Sequence, residues 1–353
     1  MENPAALDSS KKILLADFKA RAGLLSPFAA VHHPTAANPA SRSGGNSLRS
    51  AAEICVGYGS PNSTAVGTPG VWGAAFSTSD FPSLIAAGLK SVSDVSLIPH
   101  VHHRLFTSMR TLPNFMPHQF PMVGFDALLG LLSESGEGAS SCLVADSPGL
   151  SAKIDSYACL LRFSRALFLA DDIGRIAGAA AFIAGAAGHL EAKAVYTKLE
   201  SNPTMADNEA MFHVNHGNLI ESAAFSAAAL GLAIGKLRDM PTPAGAKANL
   251  DVKYLLVSSA DEYAARKAVS DAALPIVVIA SAWISEARWY VLADPVAAPV
   301  IALLHLDGTD GKPMFSRGND RDHPHFDGVV ISAVFDFGVV PVGRTGVVCS
   351  RAS

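Results

Sequence analysis

Apolar residues recurring at intervals of three and four set the longest element of the chain. Ile176, Ala180, Ile183, Ala187, Leu190 and Ala194 fall on one face of an α-helix. No proline interrupts residues 173 to 199, and Asn202-Pro203 ends the run. At 1.5 Å per residue the predicted helix is roughly 40 Å long. Asp171-Asp172 stands where a helix N-terminus favours negative charge. Gly174, Gly178, Gly185 and Gly188 leave room along this helix for another backbone to approach.

Downstream the periodicity alternates between helix and strand. Asn218, with Glu221 three residues on, reads as a capping box for a helix running to about Asp239, closed by Pro241 and Pro243. Val252 to Val257 reads as a buried strand, and Ser259 with Glu262 as the cap of a further helix to about Val269. Strands follow at Ile276 to Ile279, Trp289 to Leu292, Val300 to Leu306 and Val329 to Val342, with Gly338 marking a bend in the last. The fold class is α+β: one long helix against an antiparallel sheet, with a smaller α/β part.

The chain before residue 110 shows no such order. A short amphipathic segment, Ile13 to Phe18, precedes a stretch from Pro34 to Gly73 rich in Pro, Ser, Gly and Asn. That composition offers too little apolar area to offset chain entropy, so it reads as an extended arm ordered by neighbours, or as a flexible tail. Residues 113 to 153 form a long hairpin or loop with a Gly/Ser-rich tip at Ser133 to Ser141, flanked by apolar Met122 to Leu132 and Cys142 to Val144. Tyr157 to Leu169 is apolar with Arg162 and Arg165 interleaved.

Composition narrows the reading. Of 353 residues, 49% are hydrophobic and only 16% charged, which excludes a disordered chain. So little surface charge points to an outside hidden against partners, hence an assembly. The charge-free run from Ile176 to Leu190 is too short for a bilayer, which takes about 20 apolar residues. No basic segment followed by an apolar one opens the chain, so no secretory signal is expected. A net charge of -4 gives no basic footprint for tight nucleic-acid binding. Cys55, Cys142, Cys159 and Cys349 form no CxxC pair and read as reduced, mostly small apolar residues of a cytosolic protein.

Catalytic patterns are scarce. His100-Val101-His102-His103 and His213-Val214-Asn215-His216 lack the further ligands a zinc site needs. His323-Pro324-His325 with Asp320, Asp322 and Asp327 is the best candidate metal loop, against the plainer reading of polar loop residues. There is no GxxxxGK[ST], no GxGxxG between strand and helix, and no GxSxG elbow. Gly57-Tyr58-Gly59 is a turn, and Asp171-Asp172 cannot act as an acid pair because adjacent helix side chains diverge. No catalytic, cofactor-binding or metal residue is assigned, and the chain is expected not to be an enzyme.

An ordered series of short segments resembles a known family. Arg165 to Gly174, with Asp171-Asp172-Ile173-Gly174, resembles the entry into the long spine helix of tailed-bacteriophage major capsid proteins with the Hong Kong 97 fold, nearest the Mu-type major head subunits. VYTKLESN at 195–202 resembles the end of that helix, and MADNEAMFHVNHGN at 205–218 the segment after it. KYLLVSSADEYAA at 253–265, ISEARWYVLADPVAAP at 284–299 and FDFG at 335–338 continue the likeness. Residues 1–155 share little of it, and GVVPVGRTG stands where the family has a segment of the GvgaiDyRG type.

The resemblance implies an N-arm (1–112), an E-loop (113–156), a peripheral (P) domain with the spine helix (157–205), an axial (A) domain (206–300) and a return to the P-domain sheet (301–353). It implies a major capsid protein of a virion, assembled in the host bacterial cytoplasm as pentamers and hexamers. Portal, scaffold or protease, and decoration proteins are the implied partners, with packaged double-stranded DNA held weakly and without sequence preference, no membrane and no cofactor. The alternatives are an encapsulin-type compartment shell and, further off, a hydrolase or prohead protease.

Overall fold

The computed structural model describes residues 48, 52, 71, 74–76, 80–120, 150–170, 172–221, 225–241, 247–285, 288–319 and 326–351. In chain order these form helix α1 (Asp80–Ser96), strands β1 (Ser108–Leu112), β2 (His118–Phe120), β3 (Leu150–Ala152) and β4 (Asp155–Ser164), and helices α2 (Arg165–Leu169) and α3 (Ile173–Glu200). Then come β5 (Leu219–Glu221), α4 (Ala227–Asp239), β6 (Tyr254–Val257), α5 (Glu262–Asp271) and β7 (Val277–Ala280). The last strands are β8 (Arg288–Leu292), β9 (Ile301–Leu306), β10 (Met314–Arg317), β11 (Gly328–Pro341) and β12 (Val347–Arg351). The chain divides into two compact units, one of Met1–His100, Ser156–His189 and Gly311–Asp336, the other of Val101–Asp155, Leu190–Asp310 and Phe337–Ser353. No helix among the described residues is long and apolar enough to cross a membrane.

In the first unit, Phe81, Ile85, Leu89 and Val92 make one buried stripe on α1. It packs with Phe168 of α2, with Ile176, Ala177 and Ala180 of α3, and with Val329 and Ile331 of β11. The Phe81 and Phe168 rings meet edge to face at 5.6 Å between centroids. β10 pairs antiparallel with residues 331–334 of β11. α1 corrects the expectation of a loosely organised chain before residue 110: its stripe recurs at intervals of four and three, which is a helical signal.

The second unit is built on the sheet β5-β12-β8-β6-β7. β6 is buried along its whole length, and its alternate side chains feed two cores. Tyr254 and Leu256 join Tyr290, Val347 and the α3 residues Val195, Tyr196 and Leu199. Leu255 and Val257 join Trp289, Val291 and the α4 residues Leu230, Ala233 and Leu237. The parallel pair β6–β7 is crossed over by α5, which gives the expected α/β part. Elsewhere in this unit β9 pairs antiparallel with residues 337–341 of β11, as expected, and takes β1 in parallel on its other side. β2 and β3 pair antiparallel at the base of the 113–153 hairpin, whose tip, Ser133 to Ser141, lies outside the described residues. So do the Ile13–Phe18 segment and, apart from Leu48, Ala52 and Val71, the Pro34–Gly73 stretch.

Several local expectations change. Asp172 caps α3 as its position suggested, its Oδ1 accepting the Arg175 N–H at 3.0 Å. Asn218 caps nothing: it is buried, its Nδ2 donates to the Met211 carbonyl at 2.7 Å and its Oδ1 accepts from the His213 N–H at 3.1 Å. Leu219–Glu221 is a strand pairing with β12, so tertiary pairing overrides the capping box and α4 begins at Ala227, capped by Ser226. At α5 the Ser258 hydroxyl, not Ser259, accepts the Asp261 N–H. β11 runs on through Gly338 without a break, and the glycine is needed there because a Cβ would come within 2.3 Å of the Lys153 carbonyl oxygen. On α3 the buried face runs Ile176, Ala180, Ala184, Ala187, Glu191, Val195 and Leu199, so Ile183, Leu190 and Ala194 sit at its margin.

Of the four α3 glycines, only Gly188 is forced by close approach: a Cβ would lie 2.6 Å from the His100 Cβ and 3.0 Å from its carbonyl oxygen. Gly178 has nothing within 4 Å. Gly178→Ala should therefore stabilise the fold by about 0.5–1 kcal/mol through helix propensity. Gly188→Ala should destabilise it by about 1–3 kcal/mol through overpacking. Urea unfolding followed by circular dichroism checks the pair, and the reverse order contradicts this packing.

Candidate functional site

The chemistry-bearing residues gather in two places, both in the second unit. The first is a carboxylate at the heart of α3. Glu191 is fully buried, on the face that carries Ala187 and Val195. The short 3-10 turn His102–Leu105 brings Arg104 to it, with Nε donating to Oε1 at 2.8 Å and Nη2 to Oε2 at 2.5 Å. His103 Nε2 lies 3.0 Å from Oε1, and His305 of β9 has its Nε2 3.7 Å from Oε2. Burial alone would raise the Glu191 pKa, but the two histidines and Arg104 outweigh it and hold the carboxyl well below the usual carboxylate range. Sequence reasoning missed this group. Its signal is an acid that interrupts the apolar run at a core position, four residues after Ala187 and four before Val195.

The second gathering lies between α3 and β5. Thr204 and Ala210 pair as an isolated bridge and turn the chain so that Asp207 and Glu209 face the 3-10 turn Val214–His216. Gly217, at φ 70°, ends that turn in the left-handed region. His216 Nε2 lies 3.1 Å from Asp207 Oδ2 and 3.0 Å from Glu209 Oε2, and Arg344 contacts Asp207. His213 sits 3.3 Å from the same Glu209 oxygen.

Of the histidine runs, His103, His213 and His216 lie against carboxylates. His100 packs its ring on Gly185 and meets the His189 ring at 5.6 Å, whereas His103 serves Glu191. Asp327 pairs with Arg165 at 3.3 Å, and the rest of its proposed metal loop, residues 320–325, lies outside the described residues. Among the described residues no three His, Cys, Asp or Glu side chains converge to hold a metal ion. Cys349 is buried, and burial pushes its thiol up to about 12, away from the reactive thiolate. Cys159 is exposed on β4, while Cys55 and Cys142 lie outside the described residues.

What the surface offers instead is large apolar side chains in water. Phe182 of α3 is 77% exposed, Tyr263 of α5 81% and Val296, in the turn after β8, 91%. β4 exposes Tyr157 and Leu160 as well.

The sequence profile of the family described as phage capsid protein matches residues 149–350, more than half of the chain. The chain belongs to the phage capsid protein family. Among curated proteins none matches it in sequence. Several solved structures are loosely similar. A phage-related protein from Bordetella bronchiseptica is 11% identical, with a TM-score of 0.48 over 74% of this chain and 96% of its own. The capsid of cyanophage P-SCSP1u is 11% identical, at 0.42 over 72% and 88%. The SrpI encapsulin of Synechococcus elongatus is 8% identical, at 0.42 over 69% and 84%. The assignment rests on the family match, which bears out the phage capsid reading of the sequence.

The contribution of the Glu191 cluster to stability is measurable. Glu191→Gln leaves Arg104 without its anion, and should destabilise the second unit by about 3–5 kcal/mol near neutral pH. Because the folded-state pKa is depressed, the carboxylate contributes stability above its unfolded pKa of about 4.3 and loses it as pH falls below that value. Urea unfolding should show the gap between wild type and Glu191→Gln narrowing from pH 7 towards pH 3. A gap that stays constant across that range contradicts the charge assignment.

Proposed function

We propose that this chain is the major capsid protein of a tailed bacteriophage, a subunit that assembles with its own copies into the icosahedral shell around the DNA genome. The match to the phage capsid family over residues 149–350 carries this reading. The exposed Phe182, Tyr263 and Val296 support it, since large apolar side chains left in water by a single chain lose that exposure when copies pack together.

In this reading the architecture is of the Hong Kong 97 kind. The spine is α3, the P domain spans 157–205 with a return at 301–353, the A domain is 206–300, the E-loop is 113–156 and the N-arm is 1–112. The role is structural, not catalytic. Pentamers and hexamers of the chain assemble in the host bacterial cytoplasm with a portal and with scaffold or protease, and decoration proteins can be added. Packaged DNA meets the shell weakly: Lys and Arg number 27 against 31 Asp and Glu, too few for strong phosphate neutralisation.

Electron microscopy of the purified chain, expressed with its assembly partners, tests the reading. Closed icosahedral particles associated with DNA and a portal are expected. A chain that stays monomeric under all salt and pH conditions contradicts a shell role, and particles that enclose a cargo enzyme instead of DNA contradict the phage assignment in favour of a compartment shell.

A further inference from the structure

We propose that strand β7 is a pairing edge for a second copy of this chain, the two copies joining β7 to β7 antiparallel across a twofold axis at Ile279. Outside the β2–β3 hairpin, β1, β4, β5, β7 and β10 are the described strands that pair on one side only. Four of the five carry charge, which discourages edge-to-edge pairing: Arg110 on β1, Asp155 and Arg162 on β4, Glu221 on β5 and Arg317 on β10. β7, Val277-Val278-Ile279-Ala280, carries neither charge nor proline. Its Val277 side chain is 47% exposed.

The backbone of β7 sets how a partner pairs. Its ladder with β6 is parallel; the Val277 N–H donates to the Lys253 carbonyl at 2.9 Å and the Ser281 N–H to the Val257 carbonyl at 3.1 Å. Residues 277, 279 and 281 thus face β6, and alternation turns the N–H and C=O groups of Val278 and Ala280 outward. An antiparallel copy satisfies all four groups only with Val278 of one chain opposite Ala280 of the other. That register puts Ile279 on the axis and Val277 opposite Ser281. Head-to-tail continuation through the other end of the sheet is blocked. There the Leu219 carbonyl of β5 already accepts from Lys236 Nζ at 2.9 Å, and Glu221 sets a charge on the strand. The edge that matches β7 is its own copy.

The side chains beside the strand fit the same partner. α5 and β7 leave a groove of about 350 Å³ between them, with Arg266 and Ser270 on its helix side and Leu274, Ile276 and Val278 along it. Tyr263, 81% exposed, precedes Arg266 by three positions and Ser270 by seven, so it lies on the same face of α5. A twofold axis perpendicular to the sheet keeps both α5 helices on one side of it and sets them side by side, where helices pack at about 8–10 Å between axes. The second copy then covers Tyr263 and the groove together. Because the contact is isologous, it uses up the edge on both copies and closes as a dimer.

Non-reducing gel electrophoresis of the purified full chain in a Cys159→Ser background tests the register. Val277→Cys combined with Ser281→Cys should give a disulfide-linked dimer on mild oxidation, since opposed non-hydrogen-bonded positions of antiparallel strands lie about 4.5 Å apart between Cα atoms. Either substitution alone should stay at the background of the parent. The link is read on denatured chains, so it does not depend on whether shells form. Sedimentation of the chain without added cysteines should show a concentration-dependent dimer. Val278→Pro, which removes an outward N–H and leaves the ladder to β6 intact, should weaken it at least tenfold, and Val277→Lys should do the same. Val296→Ser, at an exposed apolar position elsewhere, should leave it unchanged, with circular dichroism checking that each variant is folded. No crosslink in the double variant, equal crosslinking in either single one, a dimer that survives Val277→Lys, or equal weakening by Val296→Ser overturns the proposal.

Discussion

A single carboxylate fixes the register of the second unit. Glu191 is fully buried, and a charge there is tolerable only with its partners in place. Arg104 and His103 must come from the turn before β1, and His305 from β9, so one side chain of α3 commits two distant stretches of chain to their positions. β1, which follows that turn, pairs in parallel with β9, which carries His305, so both strands adjoin groups that face Glu191. A slip of α3 by one residue would turn the carboxylate about 100° around the helix axis, away from these partners.

Around that point the packing is of two kinds. β6 and β8 divide their side chains between two apolar cores, which explains why their sequences read as unbroken hydrophobic runs and not as alternation. The C-terminus of α3 is anchored to the same sheet. Arg288 Nη1 donates to the Glu200 carbonyl at 2.5 Å and the Tyr290 hydroxyl to the Glu200 carboxylate at 2.5 Å, placing a cation where the helix dipole favours one. The polar loops are held by side chain to backbone bonds instead, as where Asn202 takes both the N–H and the carbonyl of Phe212.

The elements legible in the sequence were those whose pattern is local. α3 and the strands β6, β8, β9 and β11 were found within one or two residues, because period and apolar content decide them without reference to the rest of the chain. What the sequence hid was set by distant partners. Leu219–Glu221 became a strand because β12 lies beside it, and Asn218 was drawn from capping by the Met211 carbonyl. Arg104 and His103 stand 87 and 88 positions from Glu191, and Arg344 stands 128 from His216, separations that no local spacing encodes. α1 was missed for a different reason: its stripe of Phe81, Ile85, Leu89 and Val92 follows a Pro/Gly-rich stretch that dominates the composition of the region.

The apolar side chains that a single chain leaves in water fit the proposed shell, a surface completed by further copies. A cryo-electron microscopy reconstruction of the assembled particle tests this most directly. The account predicts an icosahedral lattice built of this chain, in which neighbouring copies cover Phe182, Tyr263 or Val296. A lattice in which all three side chains remain in solvent, or a particle whose shell is made of another protein, would contradict it.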